Sequence, residues 1–129
     1  MRAISICQPW AWAIFHGKDI ENRSWKTHYT GPLLIHSSNK FDHAGYKWIL
    51  DHRHLININV SIPVPDEYPM GAIIGKVNMV GCVTSHNSPW YFDDYGHVYS
   101  NPVEFKKYIP FRGALHLFEV PDELVKGLT

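Results

Sequence analysis

Three charged side chains, Lys18, Glu21 and Arg23, fall within six residues between an apolar aromatic run and a strand-like segment. Charges of both signs beside large apolar residues are typical either of a structural ion pair or of a polar site at the edge of a core. The Arg23 guanidinium suits a phosphate or a carbonyl, because it offers its donors as a planar fork. Glu21 can accept hydrogen bonds or carry a proton, and Lys18 can supply charge or, when desolvated, a base.

A salt bridge on one strand face is the structural alternative for this trio. An exposed pair of this kind contributes about 0–1 kcal/mol, which is too little to require these three residues for stability. The sequence therefore favours a binding or catalytic site. We expect alanine at Lys18 or Glu21 to abolish ligand binding while leaving the melting temperature, Tm, nearly unchanged.

Four further residues are candidate ligand contacts. Gln8 and Trp10 stand at a strand-to-helix junction, where Trp10 suits either stacking on a base or packing in the core. Ser37 ends a strand and offers its hydroxyl to a ligand or to a turn. Trp90 belongs to an aromatic loop at residues 88–97, whose rings suit stacking on bases or closing the core.

The sequence contains no familiar metal or cofactor motif. Nine histidines include His43, His52 and His54, but no cysteine or carboxylate completes a known zinc spacing around them. Nucleophile motifs, a phosphate-binding glycine loop and a dinucleotide fingerprint are also absent. We therefore predict neither a metal nor a cofactor.

Composition indicates one folded domain spanning residues 1–129, because 45% hydrophobic and 14% aromatic residues support a sizeable core. Twelve basic residues balance twelve acidic ones, which disfavours a protein that holds long nucleic acids by backbone charge alone. A small ligand, a nucleoside or a short RNA gripped at few phosphates fits this charge better.

The cysteines and the start of the chain bear on the compartment. Cys7 and Cys82 each lie in an apolar run, and we expect two buried free thiols rather than a disulfide. No signal-peptide pattern is visible, and no run of about 18 apolar residues is available to span a membrane. The prediction is a reduced, cytoplasmic protein without membrane association.

Hydrophobic patterning predicts the elements that must position these groups. Strands are expected at residues 3–7, 20–25, 33–37, 71–83, 97–100 and 114–120, with Gly75 and Gly81 bending the fourth. One helix begins at Pro9, a second of about 13 residues starts near Phe41, and a short terminal helix starts at Pro121. About six strands that do not alternate regularly with helices favour an α+β, mostly β fold. We predict a small closed or partly closed barrel with two main helices packed at its ends.

Five separated segments, residues 5–11, 18–23, 34–38, 71–75 and 112–118, together resemble the ASCH domain. This family is a member of the PUA-like superfamily of small β-barrels associated with RNA. Its motif has the form GxKxxExR, and Lys18, Glu21 and Arg23 match the three charged positions. The family glycine position, two before the lysine, holds His16 in this chain, and Gly17 stands next to the lysine instead.

The resemblance implies a cleft between barrel and helix, lined by the charged trio, with RNA or a modified nucleoside as ligand. A similar bacterial branch hydrolyses the acetyl amide of 4-acetylcytidine, using a lysine, a threonine at the motif's glutamate position and a glutamate on a later strand. Lys18 matches that lysine, but Glu21 stands where the threonine should be, and residues 73–83 contain no carboxylate. That activity is therefore not carried over intact.

Three functional classes remain open. The leading hypothesis is an RNA- or nucleoside-binding protein whose polar cleft is built on Lys18, Glu21 and Arg23. The first alternative is a metal-independent hydrolase with Lys18 and Glu21 as catalytic groups, either an amidohydrolase acting on a 4-acetylcytidine-like nucleoside or a ribonuclease. The second alternative is a protein-interaction module whose partners the sequence does not specify.

Overall fold

The computed structural model describes residues 1–128 and contains six strands and three helices. The strands are β1 (Arg2–Gln8), β2 (Ile20–Arg23), β3 (Gly31–Phe41), β4 (Ala72–Val83), β5 (Tyr95–Pro110) and β6 (Leu117–Glu119). The helices are α1 (Trp10–Ile14), α2 (His43–Asp51) and α3 (Asp122–Val125), and a 3-10 turn lies at Pro65–Glu67.

All six strands form one sheet in the order β2-β5-β4-β3-β1-β6. Strands β1 and β3 are parallel, and every other neighbouring pair is antiparallel. The predicted α+β, mostly β class with about six strands is confirmed. Since β2 and β6 lie at opposite ends of the order and do not pair within residues 1–128, the sheet is not closed.

Strand β5 differs most from its prediction. The sequence predicted a short strand at residues 97–100, whereas β5 has 16 residues. Its first part pairs with β2, and it also runs along β4, so two partners sustain its length. Asn101 has a φ of +52° in the middle of the strand. This interruption breaks the alternation on which a prediction from periodicity depends.

Helix α2 has nine residues, which is fewer than predicted. Asp42 caps it by accepting a hydrogen bond from the Gly45 backbone N–H at 2.8 Å. The same carboxylate accepts one from the Trp10 indole at 2.9 Å. Both hydrogen bonds lower the pKa of Asp42 below its ordinary value, and the bond from the Trp10 indole has the larger effect. One side chain therefore fixes both the start of α2 and the position of Trp10.

The pairing of β4 with β5 shifts register next to Gly75 and Gly81, where the sequence predicted a bulged and bent strand. The two glycines have different surroundings. A Cβ at Gly75 would lie 2.5 Å from both the Val103 carbonyl oxygen and Cζ of Phe15. A Cβ at Gly81 would meet nothing within 4 Å. Of these two positions, only residue 75 must be glycine, because a side chain there would clash with its neighbours.

Two further predictions concerned the state of the cysteines and the absence of a membrane-spanning segment. Cys7 and Cys82 are free thiols, as predicted, although both are half-buried rather than buried. None of the helices within residues 1–128 has the length and apolar character needed to cross a membrane.

Candidate functional site

A cavity of about 1020 Å³ opens beside β1, β2 and the loop that joins β5 to β6. Its wall includes four of the predicted site residues: Trp10, Lys18, Glu21 and Arg23. The charged trio therefore lies at a concave surface large enough for a small ligand.

The Glu21 carboxylate bridges the two cations of the trio. Lys18 Nζ donates to Glu21 Oε1 at 2.5 Å and also to the Ile20 carbonyl oxygen. Arg23 Nη2 lies 3.1 Å from Glu21 Oε2. Glu21 and Arg23 are two residues apart on β2 and share a face, as predicted, and Lys18 reaches them from the preceding turn.

Burial changes the interpretation of this ion pair. The side chains of Lys18 and Glu21 are only 2% and 11% exposed. Such burial argues against the expectation that alanine would leave Tm nearly unchanged. Removing one partner of a buried pair leaves an uncompensated charge, so we expect the trio to contribute to stability.

Arg23 is the member of the trio that remains free to bind a ligand. Its side chain is 25% exposed, and Nη2 also donates to the Ser5 carbonyl oxygen at 3.0 Å. Its Nε is buried and has no hydrogen-bond partner within residues 1–128. Because a guanidinium has five N–H donors, Arg23 keeps donors for an oxygen in the cavity.

Trp10 and Phe92 supply an aromatic wall to the cavity. Their ring centroids are 6.2 Å apart and the rings are nearly perpendicular. Lys18 Nζ lies 5.9 Å from the centroid of Trp10. Asn22 holds the Phe92 segment, because its side chain accepts from the Phe92 backbone N–H and donates to the Trp90 carbonyl oxygen, each at 2.9 Å.

Gln8, Ser37 and Trp90, the other predicted ligand contacts, do not line this cavity. Gln8 is fully buried and binds main-chain groups, donating to Pro69 O and accepting from Trp12 N. Ser37 is also fully buried, and its hydroxyl donates to the Ala72 carbonyl oxygen. Trp90 is 2% exposed, and its ring centroid lies 6.3 Å from that of Trp10. Trp90 therefore packs behind the part of the wall that Trp10 forms.

The sequence did not identify the other wall of the cavity. Arg112 and His116 line it from a loop, where the sequence predicted a strand at residues 114–120. Lys40 and Ser38 line it from β3. Two sequence features could have pointed to these residues: the resemblance of residues 112–118 to the family, and the pair of serines that includes Ser37.

Ser5 and His36 also line the cavity. Ser5 Oγ lies 2.9 Å from His36 Nδ1, and His36 Nε2 lies 2.6 Å from the Phe111 carbonyl oxygen. Burial lowers the pKa of His36, and the hydrogen bond to Phe111 opposes this only in part. The ring is therefore held neutral near pH 7.

No three histidine, cysteine or carboxylate residues among residues 1–128 gather closely enough to hold a metal ion. Within the predicted histidine group, His52 Nδ1 bonds to the Trp48 carbonyl oxygen on its own helix end.

Two buried histidines should make the protein sensitive to mild acid. Burial lowers the pKa of His36 and of His97 below the ordinary value of 6.5. The unfolded chain therefore binds more protons, and stability is lost as pH falls through about 6.5. We expect Tm to fall from pH 7 to pH 5, with a smaller fall for His36→Gln. Replacing the exposed His54 with asparagine should keep the wild-type fall. Equal falls in all three proteins would contradict this account of His36.

Comparison with known proteins confirms the predicted resemblance to the ASCH domain. The family model described as the ASCH domain matches residues 4–114. Activating signal cointegrator 1 of Homo sapiens and that of Mus musculus are each 24% identical to this chain over 133 residues. The match covers 96% of this chain and 23% of those proteins, so the chain spans about a quarter of the length of the curated relatives it matches. Because the family model covers most of the sequence, the chain belongs to the ASCH domain family.

Proposed function

We propose that the protein binds a short single-stranded RNA, or a nucleoside carrying a phosphate, in this cavity. The charge of the wall is the observation that carries the proposal. Four cationic residues and one carboxylate line it, in a chain of zero net charge: Lys18, Arg23, Lys40 and Arg112, with Glu21. A concave surface with excess positive charge attracts phosphate. The neutral total fits a ligand held at few phosphates.

The phosphate subsite is formed by Arg23, Arg112 and Lys40. Glu21 forms ion pairs with Lys18 and Arg23, so it neutralises positive charge at the floor of the cavity. Arg112 and Lys40 are exposed, and neither forms an ion pair within residues 1–128. Their charge is therefore available at the rim, and the partly exposed Arg23 guanidinium lies beside Glu21 at the floor.

The base subsite is formed by the aromatic wall. Trp10 is half-buried and held by its indole N–H, whereas Phe92 is 49% exposed. Stacking of a base on an aromatic side chain contributes about 1–3 kcal/mol and tolerates different bases. This wall beside a cationic rim supports binding of a base and its phosphate together.

The geometry gives less support to hydrolysis by the charged trio. Lys18 Nζ already donates to the Ile20 carbonyl oxygen and to Glu21, so its amine is held by the protein. An amidohydrolase or ribonuclease using Lys18 and Glu21 stays a prediction. A protein-interaction module also stays a prediction, although the human and mouse relatives carry the name of a cointegrator.

Replacing Arg112 with alanine should weaken RNA binding for every sequence, because a phosphate contact carries no base information. We expect about a fivefold to tenfold loss in affinity and a salt slope shallower by about 1. Fluorescence anisotropy with short single-stranded RNA at several salt concentrations measures both.

Lys107→Ala is the charge-matched control, because Lys107 is exposed on β5 and does not line the cavity. Equal losses in the two variants would place binding elsewhere on the surface. No detectable binding of RNA or of nucleotides by the wild-type protein would refute the proposal.

A further inference from the structure

Ser5 and His36 form a hydrogen-bonded pair that the proposed RNA site does not use. They are register partners on the parallel strands β1 and β3, and both line the cavity. Ser5 Oγ lies 2.9 Å from His36 Nδ1, and the Phe111 carbonyl oxygen lies 2.6 Å from His36 Nε2. A hydroxyl, an imidazole and a third group that orients the imidazole are the parts of an activated nucleophile.

The Phe111 carbonyl determines which ring nitrogen carries the proton. A carbonyl oxygen can only accept, so His36 Nε2 must donate to it. In the neutral ring, Nδ1 then has a free lone pair, and the Ser5 hydroxyl donates to it. His36 is thus set in the tautomer that can remove a proton from Ser5.

We propose that Ser5 is a nucleophile and His36 its general base for hydrolysis of a carboxylic ester bound in the cavity. Ser5 Oγ forms a bond to the acyl carbon while His36 Nδ1 takes the hydroxyl proton. The alcohol then leaves with that proton, so the products of the first half are an alcohol and an acyl-Ser5. Water attacks the acyl-Ser5, again giving a proton to Nδ1, and Ser5 leaves with it as the carboxylic acid is released.

The surroundings of the pair suit the charges that develop in this reaction. The imidazolium formed at each step keeps its Nε2–H bond to Phe111. Arg23 Nη2 donates to the Ser5 carbonyl oxygen at 3.0 Å, so the guanidinium, whose side chain is 25% exposed, lies next to the residue that carries the nucleophile. Arg23 is the donor that the wall offers to the oxyanion of the tetrahedral intermediate.

Gly113 keeps the space next to the pair open. A Cβ at this position would lie 2.9 Å from Ser5 Oγ and 2.8 Å from Cε1 of His36. A side chain at Gly113 would therefore occupy the approach to the hydroxyl. The substrate class is an ester of a small acyl group with an alcohol that bears an anionic group, because the cationic rim would hold that anion. The anion need not belong to a nucleic acid, so the inference does not rest on the proposed RNA binding.

Covalent labelling of the wild-type protein tests the pair directly. A fluorophosphonate probe should add one molecule to Ser5, located by mass spectrometry of the digested protein. Hydrolysis of p-nitrophenyl acetate should fall by about 100-fold in Ser5→Ala and in His36→Gln. Ser61→Ala, which removes an exposed hydroxyl outside the cavity, should change neither readout.

Three outcomes would overturn the inference: no adduct on folded wild-type protein, an adduct only on another residue, or full esterase activity in Ser5→Ala. The labelling uses the wild-type chain, so it decides the question even where a variant fails to fold. Fluorescence anisotropy with short single-stranded RNA is measured on the same wild-type protein as the labelling. Absence of labelling and esterase activity with intact RNA binding, or the reverse result, therefore distinguishes failure of this inference from failure of the proposed function.

Discussion

Glu21→Gln should lower the free energy of unfolding by about 3–5 kcal/mol, because it leaves two cations without their shared carboxylate. Lys18 is the more costly of the two, since its side chain is 2% exposed and water cannot replace Glu21. Arg23 is 25% exposed and recovers part of its loss through solvent. Urea denaturation followed by tryptophan fluorescence measures the change, and the slope m should stay constant.

A second substitution distinguishes buried charge from lost packing. Lys18→Met combined with Glu21→Gln should be less destabilised than Glu21→Gln alone, because the double variant buries no unpaired ammonium. Asp51→Asn is the control, since the Lys47–Asp51 pair is exposed on α2 and its loss should be too small to measure. A wild-type stability for Glu21→Gln would show that the trio exists for its ligand alone.

Gly75→Ala should destabilise the sheet by about 3 kcal/mol, although it adds a single methyl group. The new Cβ would lie 2.5 Å from the Val103 carbonyl oxygen and from Cζ of Phe15. The Val103 carbonyl oxygen belongs to the main chain of the neighbouring strand, so β4 and β5 would have to separate to admit the methyl group. The midpoint of urea denaturation should fall accordingly.

Gly81→Ala provides the matched comparison within the same strand. Nothing lies within 4 Å of the added Cβ there. The substitution reduces the freedom of the unfolded chain, so the protein should be unchanged or slightly stabilised. Similar losses at Gly75 and Gly81 would mean that strand propensity, rather than packing against β5, determines the effect.

The sequence predicted the charged trio because its geometry is local. Lys18 lies two residues before β2, and strand alternation alone places Glu21 and Arg23 on one face. The number of strands and the irregular pairing of β4 next to its glycines were likewise predictable from apolar runs and glycines. Burial of the trio was not predictable, because it depends on packing by segments distant in sequence.

The sequence alone could not determine which of two neighbouring polar or aromatic residues lines the cavity. Ser37 and Ser38 alternate along β3, so one of them must face the core and the other the cavity. Two adjacent serines leave the phase of the strand undetermined, and the structure selects Ser38 for the cavity. Trp90 and Phe92 present the same choice in a loop, and the larger ring is buried.

The loop wall depends on backbone conformation that periodicity does not encode. Residues 114–116 continue an alternating apolar pattern, which predicts strand, yet His116 has a φ of +57°. That conformation ends any extension of β6 toward the cavity and leaves Arg112 at the rim.

The Asp42 carboxylate has a consequence for the energetics of recognition. It accepts the Trp10 indole N–H and the Gly45 N–H together, so turning the Trp10 ring would also weaken the first turn of α2. The Trp10 ring is therefore ordered when the chain folds rather than when a ligand arrives. Immobilising a mobile side chain on binding costs about 0.5–1.5 kcal/mol. A partner that stacks on Trp10 meets a preorganised platform, and its contact energy is not reduced by that entropy.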